Sequence, residues 1–308
     1  MNLKTKLFTL CLALASSSLA FGQVKFERKI EEGKTSNVES VSRSEQKLTI
    51  AGMDIETSSD SRTVVKATAG KRDADGNLRV EEKVDSLQIS VKIQGTEYEF
   101  DSANPEKTGG SPLEMLRPVH KGAVRRTTTT TYDKDNKVAD IQFDQDPLND
   151  LNDTVRALVK DQFDIERIKK AANEEIDRLP AEPVKKGDSW ERLTKLHLEA
   201  GQIMTFNTRY TYEGEIEKDG RKLDRISSKV LSVDYTVENS PMGLSAKSSD
   251  LKPATSKGEI LFDRALGQIV ESSSSVQIVG DLTLVINGQE LPSKLDLKME
   301  SSTHKQKH

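Results

Sequence analysis

The sequence predicts an α+β fold that is mostly β: two twisted antiparallel sheets, for which internal duplication is one origin, joined by a connecting amphipathic helix. Three observations carry this expectation. Apolar residues recur at every second position towards both ends of the chain, turn-forming dipeptides separate those segments, and one helical stripe occupies the middle. Composition limits what such a fold can bury. Of 308 residues, 34% are hydrophobic, 31% charged and only 5% aromatic, so the strands are expected to bury one face and leave the other in water.

The chain opens with Lys4 and Lys6, an apolar run over residues 7–14, and the stretch Ser16-Ser17-Ser18-Leu19-Ala20-Phe21-Gly22. A basic, then apolar, then small-residue segment of this length is a secretory signal peptide, here residues 1–22, with cleavage after Ala20 or Gly22. The apolar run is too short for a membrane span of about 20 residues, and no later segment approaches that length. Cys11, the only cysteine, leaves with the signal, so the mature chain is expected to hold no disulfide, thiol nucleophile or thiolate ligand. Export without cysteine fits a bacterial envelope protein, periplasmic or extracellular. The formal charge of −4 becomes more negative once Lys4 and Lys6 are lost. A mildly acidic surface argues against nucleic acid as a partner, because a basic face supplies most of that affinity.

In the N-terminal β lobe, residues 23–146, Leu87, Ile89, Val91 and Ile93 alternate with Gln88, Ser90 and Lys92, the pattern of a strand with one buried face. The run Thr127 to Thr131 after Arg125-Arg126 reads as a solvent-exposed strand. A helical connector, residues 147–179, begins at Asp146-Pro147, an N-cap followed by proline at the first helical position. Positions 151, 155, 158, 162, 165, 169, 172, 176 and 179 then step by four and three, and all but Gln162 and Lys169 are apolar. That is one helical stripe, with a break near Asp161 to Asp164, ending at Pro180. The C-terminal β lobe, residues 180–300, repeats the two-residue period at 276–278 and 295–299, and residues 301–308 form a charged tail. Asp75-Gly76, Asp219-Gly220 and Asn287-Gly288 mark hairpins, since their residues tolerate positive φ. Landmarks recur in the same order in the two lobes, such as Lys83-Val84-Asp85-Ser86 and Lys229-Val230-Leu231-Ser232, which is what a duplication would leave.

Signatures of catalysis are missing. No Gly-x-Ser-x-Gly occurs, and Gly109-Gly110-Ser111-Pro112 is a loop. The histidines His120, His197, His304 and His308 include no internal pair with metal-ligand spacing. Asp73-Ala74-Asp75-Gly76-Asn77 and Asp133-Lys134-Asp135-Asn136-Lys137 open like calcium loops, but the twelfth positions are Val84 and Asp144, where such a loop carries Glu. Both are better explained as hairpin turns. One Trp, five Tyr and eight Phe are few for a sugar-stacking cleft. No catalytic, cofactor-binding or metal-ligating residue is assigned, and no cofactor is expected.

One junction is specific: Leu179-Pro180-Ala181-Glu182-Pro183-Val184-Lys185-Lys186-Gly187-Asp188-Ser189-Trp190. The prolines stop the helix, Gly187-Asp188 turns the chain, and Trp190 anchors the entry to the second lobe. This resembles the Pro-x-x-Pro-Val-x-x-Gly-Asp-x-Trp junction of an uncharacterised family of exported bacterial proteins, planctomycete-like in distribution and known only as a domain of unknown function. Phe262-Asp263 followed by Gly267-Gln268-Ile269-Val270-Glu271-Ser272 resembles that family's late hairpin. The resemblance implies an exported β-rich fold and brings no catalytic residues. In architecture alone the pattern is also similar to periplasmic lipoprotein carriers, whose half-open sheet and helical lid hold acyl chains. The expected function is a non-enzymatic binding or scaffold protein of the bacterial envelope, holding an apolar ligand or an envelope partner. The alternatives are a hydrolase with dispersed carboxylates in an inter-lobe groove and a structural or adhesive surface module.

Overall fold

The computed structural model describes residues 22–198, 201–238, 240 and 243–306, so all of the expected signal peptide except Gly22 lies outside the described residues. The chain forms β1 (Thr35–Ile50), β2 (Met53–Ala69), β3 (Leu78–Ile93), β4 (Thr96–Asp101), α1 (Arg117–Arg125), β5 (Thr127–Tyr132), β6 (Val138–Phe143), α2 (Asp153–Val159), α3 (Ile165–Ile176), β7 (Ser189–His197), β8 (Gln202–Lys218), β9 (Arg221–Val237), β10 (Leu244–Asp263), β11 (Gln268–Ile286) and β12 (Gln289–Lys305). The mostly β class is as expected, but the two expected sheets are one. A single 12-stranded sheet runs β6-β5-β3-β2-β1-β12-β11-β10-β9-β8-β7, with β4 beside the second half of β3. The seam is the antiparallel pair β1–β12, which extends from Val38↔Lys305 to Ile50↔Ser293. Residues 301–305, expected as a charged tail, continue β12, because β1 and β11 supply partners on both sides.

Starting at β7, the strands follow in chain order through β12 and on through β1 to β6. A meander whose last strand pairs with its first is the connectivity of an up-and-down barrel. Here the ring is interrupted between β6 and β7, and the C-terminal end of α3 bridges the break. On one side Asn173 exchanges two hydrogen bonds with the Val138 backbone of β6, at 2.9 and 3.1 Å. On the other, Trp190 Nε1 donates to the Arg178 carbonyl at 2.7 Å, and Arg192 Nε donates to the Asp177 carbonyl at 2.7 Å. Both sheet edges, which would otherwise offer unpaired backbone groups to another chain, are thereby tied to the same helix.

The helical connector starts later than expected. Asp146 spends its side chain on the turn that follows, accepting from Leu148 N at 2.9 Å, and Asp150 adopts a positive φ of 64°. The cap is therefore Asn152, which accepts from Val155 N at 2.9 Å. A 3-10 turn over Lys160–Phe163 and a second cap at Asp164 separate α2 from α3, the break expected from Asp161 to Asp164. Val155, Val159 and Leu151 are buried against Met115, Val119 and Phe163, so α2 packs on α1 and the turn before it. The Thr127 to Thr131 strand is not solvent-exposed throughout: β5 lies between β3 and β6, and Thr130 is 5% exposed.

Most apolar side chains lie on one face of the sheet in separate clusters, and a smaller buried cluster of Leu223, Leu261 and Val270 lies on the other. At one end Met204, Phe206, Val233 and Tyr235 share a buried cluster with Ile278, Leu284, Leu295 and Leu297. The first four belong to β8 and β9 and the other four to β11 and β12, and these two strand pairs are not hydrogen-bonded to one another. The β9–β10 ladder spans only 224–228 against 258–262, so beyond it the two ribbons splay and fold over one another. At the other end Tyr210, Tyr212, Ile226, Ile260 and Phe262 pack with Val24 and Phe26. Between them runs a belt of hydroxyls: Ser42 with Ser61 at 2.8 Å, Ser274 with Ser301 at 2.8 Å, Ser40 with Thr303 at 3.2 Å. Away from that small cluster the opposite face is charged, with cross-strand pairs such as Arg62–Glu39 and Lys47–Asp54 at 2.7 Å, each contributing little at a solvated surface.

Helix α1 was not foreseen. It packs on β3 and β4 through Leu87, Tyr98 and Phe100. Its Arg117, 6% exposed, donates to Glu114 and to the Glu99 and Pro105 carbonyls and lies over the Tyr98 ring. His120 Nδ1 is 2.7 Å from Tyr98 Oη. Burial, aided by the Arg117 charge, pushes His120 down to about 4. The unfolded chain therefore binds this proton first, and stability is lost as pH falls from about 6.5 towards about 4, by up to about 1.4 kcal/mol per pH unit. Urea unfolding at pH 7 and pH 4.5 should show this loss, and H120Q should show less of it. An equal acid loss in both proteins would remove His120 as its source.

Candidate functional site

A cavity of about 570 Å³ opens where the ring is bridged, between α3, the N-terminal segment and the inner faces of β1, β2, β3 and β12. Its existence follows from side-chain size. Ala67 and Ala69 of β2 stand opposite Glu82 and Val80 of β3, and these alanines leave unfilled the space that larger residues occupy elsewhere on this face. Val38, Val80, Val138, Ile176, Leu179, Phe262 and Ile269 complete the apolar wall. The volume falls within the range of about 300–1,000 Å³ typical of small-molecule sites. Ala172, Ile176 and Leu179, on the helical stripe of the connector, are the lining residues from α3 and the turn after it.

The floor is the N-terminal segment. Val24 and Val184 exchange backbone hydrogen bonds at 2.7 and 2.9 Å, and Lys29 N donates to the Gly267 carbonyl at 2.8 Å. Gly267 has a φ of 64°, and a Cβ there would meet Glu27 O at 2.7 Å and Lys29 Cγ at 2.6 Å. The late hairpin therefore needs glycine to let this segment pass. The junction motif holds the same corner. Gly187 N donates to Tyr212 O at 2.8 Å, and Trp190 stacks on Tyr210 with centroids 5.9 Å apart.

The polar part of the lining includes Arg28, Lys34, Ser36, Glu82, Tyr132, Gln268 and Lys305. Arg28 lies over the Tyr132 ring at 5.2 Å, and its Nη1 is buried without a hydrogen-bond partner. Glu82 sits on the face shared by Leu78 and Val80 of β3, and burial raises its carboxyl above the ordinary range against the opposing pull of Arg28 and Thr130. Burial likewise raises the Tyr132 phenol. Lys305, whose Nζ bonds Gln268 Oε1, is lowered by burial, with Glu31 opposing. Glu175 lines the cavity too, but its side chain is 58% exposed and paired with Arg178. The arrangement is an apolar chamber with one under-satisfied cation and a carboxyl biased towards its neutral form, suited to bind and orient a ligand.

None of these polar residues was singled out from the sequence. Glu82 had a signal: in Leu78-x-Val80-x-Glu82-x-Val84 it is the charged member of an inward-facing row. Arg28 and Lys305 had none, since their approach depends on which strands meet at the seam. The two Asp-rich segments are hairpin turns, with Asp73 Oδ1 accepting from Asn77 N and Asp133 Oδ1 from Lys137 N, both at 2.9 Å. Among the described residues no group of three or more His, Cys, Asp or Glu is placed to hold a metal ion. A second hollow, about 550 Å³, lies on the charged outer face beside Asp60, Arg62, Glu97, Glu99 and Lys107, and lacks an enclosing apolar wall.

The sequence profile of a family of unknown function, DUF6263, matches residues 75–269, well over half of the chain. The chain belongs to DUF6263. The matched region of this DUF6263 protein contains the junction motif, α1, α2 and α3, and most of the cavity wall from β3 and α3. No curated protein matches it. Among solved structures, a lipovitellin structure titled for its lipid–protein interactions aligns with a TM-score of 0.42 and 10% identity, covering 91% of this chain and 26% of that one. The chain thus spans about a quarter of the length of that relative. DynF from the dynemicin biosynthesis pathway of Micromonospora chersina aligns at a TM-score of 0.21 and 7% identity, over 91% of this chain and 90% of that one. The Pseudomonas aeruginosa protein OccK5 (OpdH) aligns at 0.21 and 8%, over 90% and 99%. No shared fold is assigned at these TM-scores. Among the described residues no helix is long and apolar enough to cross a membrane.

Proposed function

We propose that this DUF6263 protein is a non-enzymatic binding protein of the bacterial envelope that holds an apolar or amphiphilic ligand beneath α3. The observation that carries the reading is the cavity of about 570 Å³, walled by apolar side chains of the sheet and of α3. A helix bridging the two edges of a curled sheet can move outward at the cost of a few hydrogen bonds, which gives a ligand a way in without unfolding the ladder. Export is supported by the basic-apolar-small pattern of residues 1–22. Nile red, a neutral solvatochromic dye, should bind the purified protein with a blue-shifted emission. Ala67→Phe and Ala172→Phe fill the chamber from opposite walls and should each weaken dye binding at least tenfold with an unchanged melting temperature. Unaltered dye affinity in both variants would overturn the site.

A hydrolase remains the second reading because Glu82 and Glu175 line the same cavity. Turnover of a panel of p-nitrophenyl esters and glycosides, lost in E82Q, would support it, and no turnover in the parent protein would remove it for those substrate classes.

A further inference from the structure

We infer that the cavity selects amphiphiles with a single anionic oxygen head group, a carboxylate or a phosphate, seated between Arg28 and Lys305 with the alkyl chain along the alanine-lined wall. The inference rests on the binding role proposed above and goes further in naming the ligand class. Arg28 Nη1 is a buried donor with no acceptor, and a guanidinium in that state is stabilised by an anion brought to it. The guanidinium lies over the face of Tyr132 and attracts the nearby Glu82 and Glu175 carboxyls, yet Nη1 stays without an acceptor and is the position open to an oxyanion. Lys305 enters the same cavity from β12, and burial weakens its hold on its proton. An arriving anion would favour its charged form.

The acids nearby do not fill this role. Glu82 is the interior carboxyl, raised by burial against the pull of Arg28, and it makes no hydrogen bond to Arg28 Nη1. Glu31 is exposed and Glu175 is paired with Arg178. The wall beyond the cations is mostly apolar, with Val38, Ala67, Ala69 and Val80 beside the uncharged Ser36 opposite Ala67, and Lys29 and Lys34 are further cations of the lining, so one anionic end and one alkyl chain are the complement.

The test is Nile red displacement at pH 8 by four probes of equal chain length: hexadecanoate, hexadecyl phosphate, hexadecan-1-ol and hexadecylammonium. The expected result is that at least one anion displaces the dye at a concentration tenfold or more below the alcohol. The stronger of the two anions identifies the head group. R28M should abolish the preference of anion over alcohol, R28K should keep part of it, and K305M should reduce it. Circular dichroism melting of each variant establishes that it is folded. Equal displacement by alcohol and anions, or strongest displacement by hexadecylammonium, would overturn the head-group inference and leave the binding role standing. Displacement by none of the four would remove both.

Discussion

Replacing Phe26 by Ala should cost about 3–5 kcal/mol of unfolding free energy, the range for emptying an aromatic site in a packed core. Phe26 belongs to an extended segment with no helix or sheet of its own, yet it is 7% exposed. Its ring meets Phe262 edge-on at 5.2 Å and Tyr212 at 5.5 Å. The segment that carries it also supplies Arg28 to the cavity. F26A should therefore weaken dye binding as well as stability, because the floor of the chamber loses its anchor. Urea unfolding followed by the fluorescence of Trp190, the single tryptophan, reads the first effect. Val41→Ala, on the charged face at 41% exposure, is the control and should change stability by less than about 0.5 kcal/mol. A loss below about 1 kcal/mol in F26A would mean that the segment is peripheral to the fold.

Arg264→Met should cost about 3 kcal/mol, the low end of the range for breaking a buried ion pair. Asp224 is 1% exposed, accepts from Tyr212 Oη at 2.6 Å and pairs with Arg264 Nε at 2.5 Å. Removing the guanidinium leaves an uncompensated carboxylate inside the sheet. The loss stays at the low end because the Arg264 side chain is 42% exposed, so water can reach the vacated position. The double variant D224N/R264M should recover more than half of the loss, since an amide can keep the Tyr212 contact without a charge to solvate. Additive losses in the double variant would show that packing of the arginine stem, not the buried charge, dominates at this corner.

Much of the secondary structure was legible because it depends on short-range pattern. The alternation of Leu87 to Ile93 placed β3, and the three Asp-Gly and Asn-Gly dipeptides placed three hairpins. Helix α1 was not legible. Its apolar residues Val119, Ala123 and Val124 are too few for a stripe, and what holds it is the buried Arg117 with its two carbonyl acceptors on other segments. The threonine run misled for a related reason. Five identical residues have no period, so their two faces differ only through pairing, which sets Thr130 opposite Val80 and Ile141.

Composition and periodicity alone were enough to predict an amphipathic, mostly antiparallel protein with a helical stripe in the middle. They also anticipated the sparse core, which the fold realises as several separate apolar clusters, the two around β8 to β12 divided by a serine belt. The joining of β1 to β12, the bridging of β6 to β7 by α3, and the meeting of Arg28, Glu82 and Lys305 came only with the three-dimensional arrangement. Val38 and Lys305 are paired neighbours at opposite ends of the chain, and no local propensity encodes such a contact. It is selected by the closure of the whole ring, whose free energy is shared over the full length of the seam.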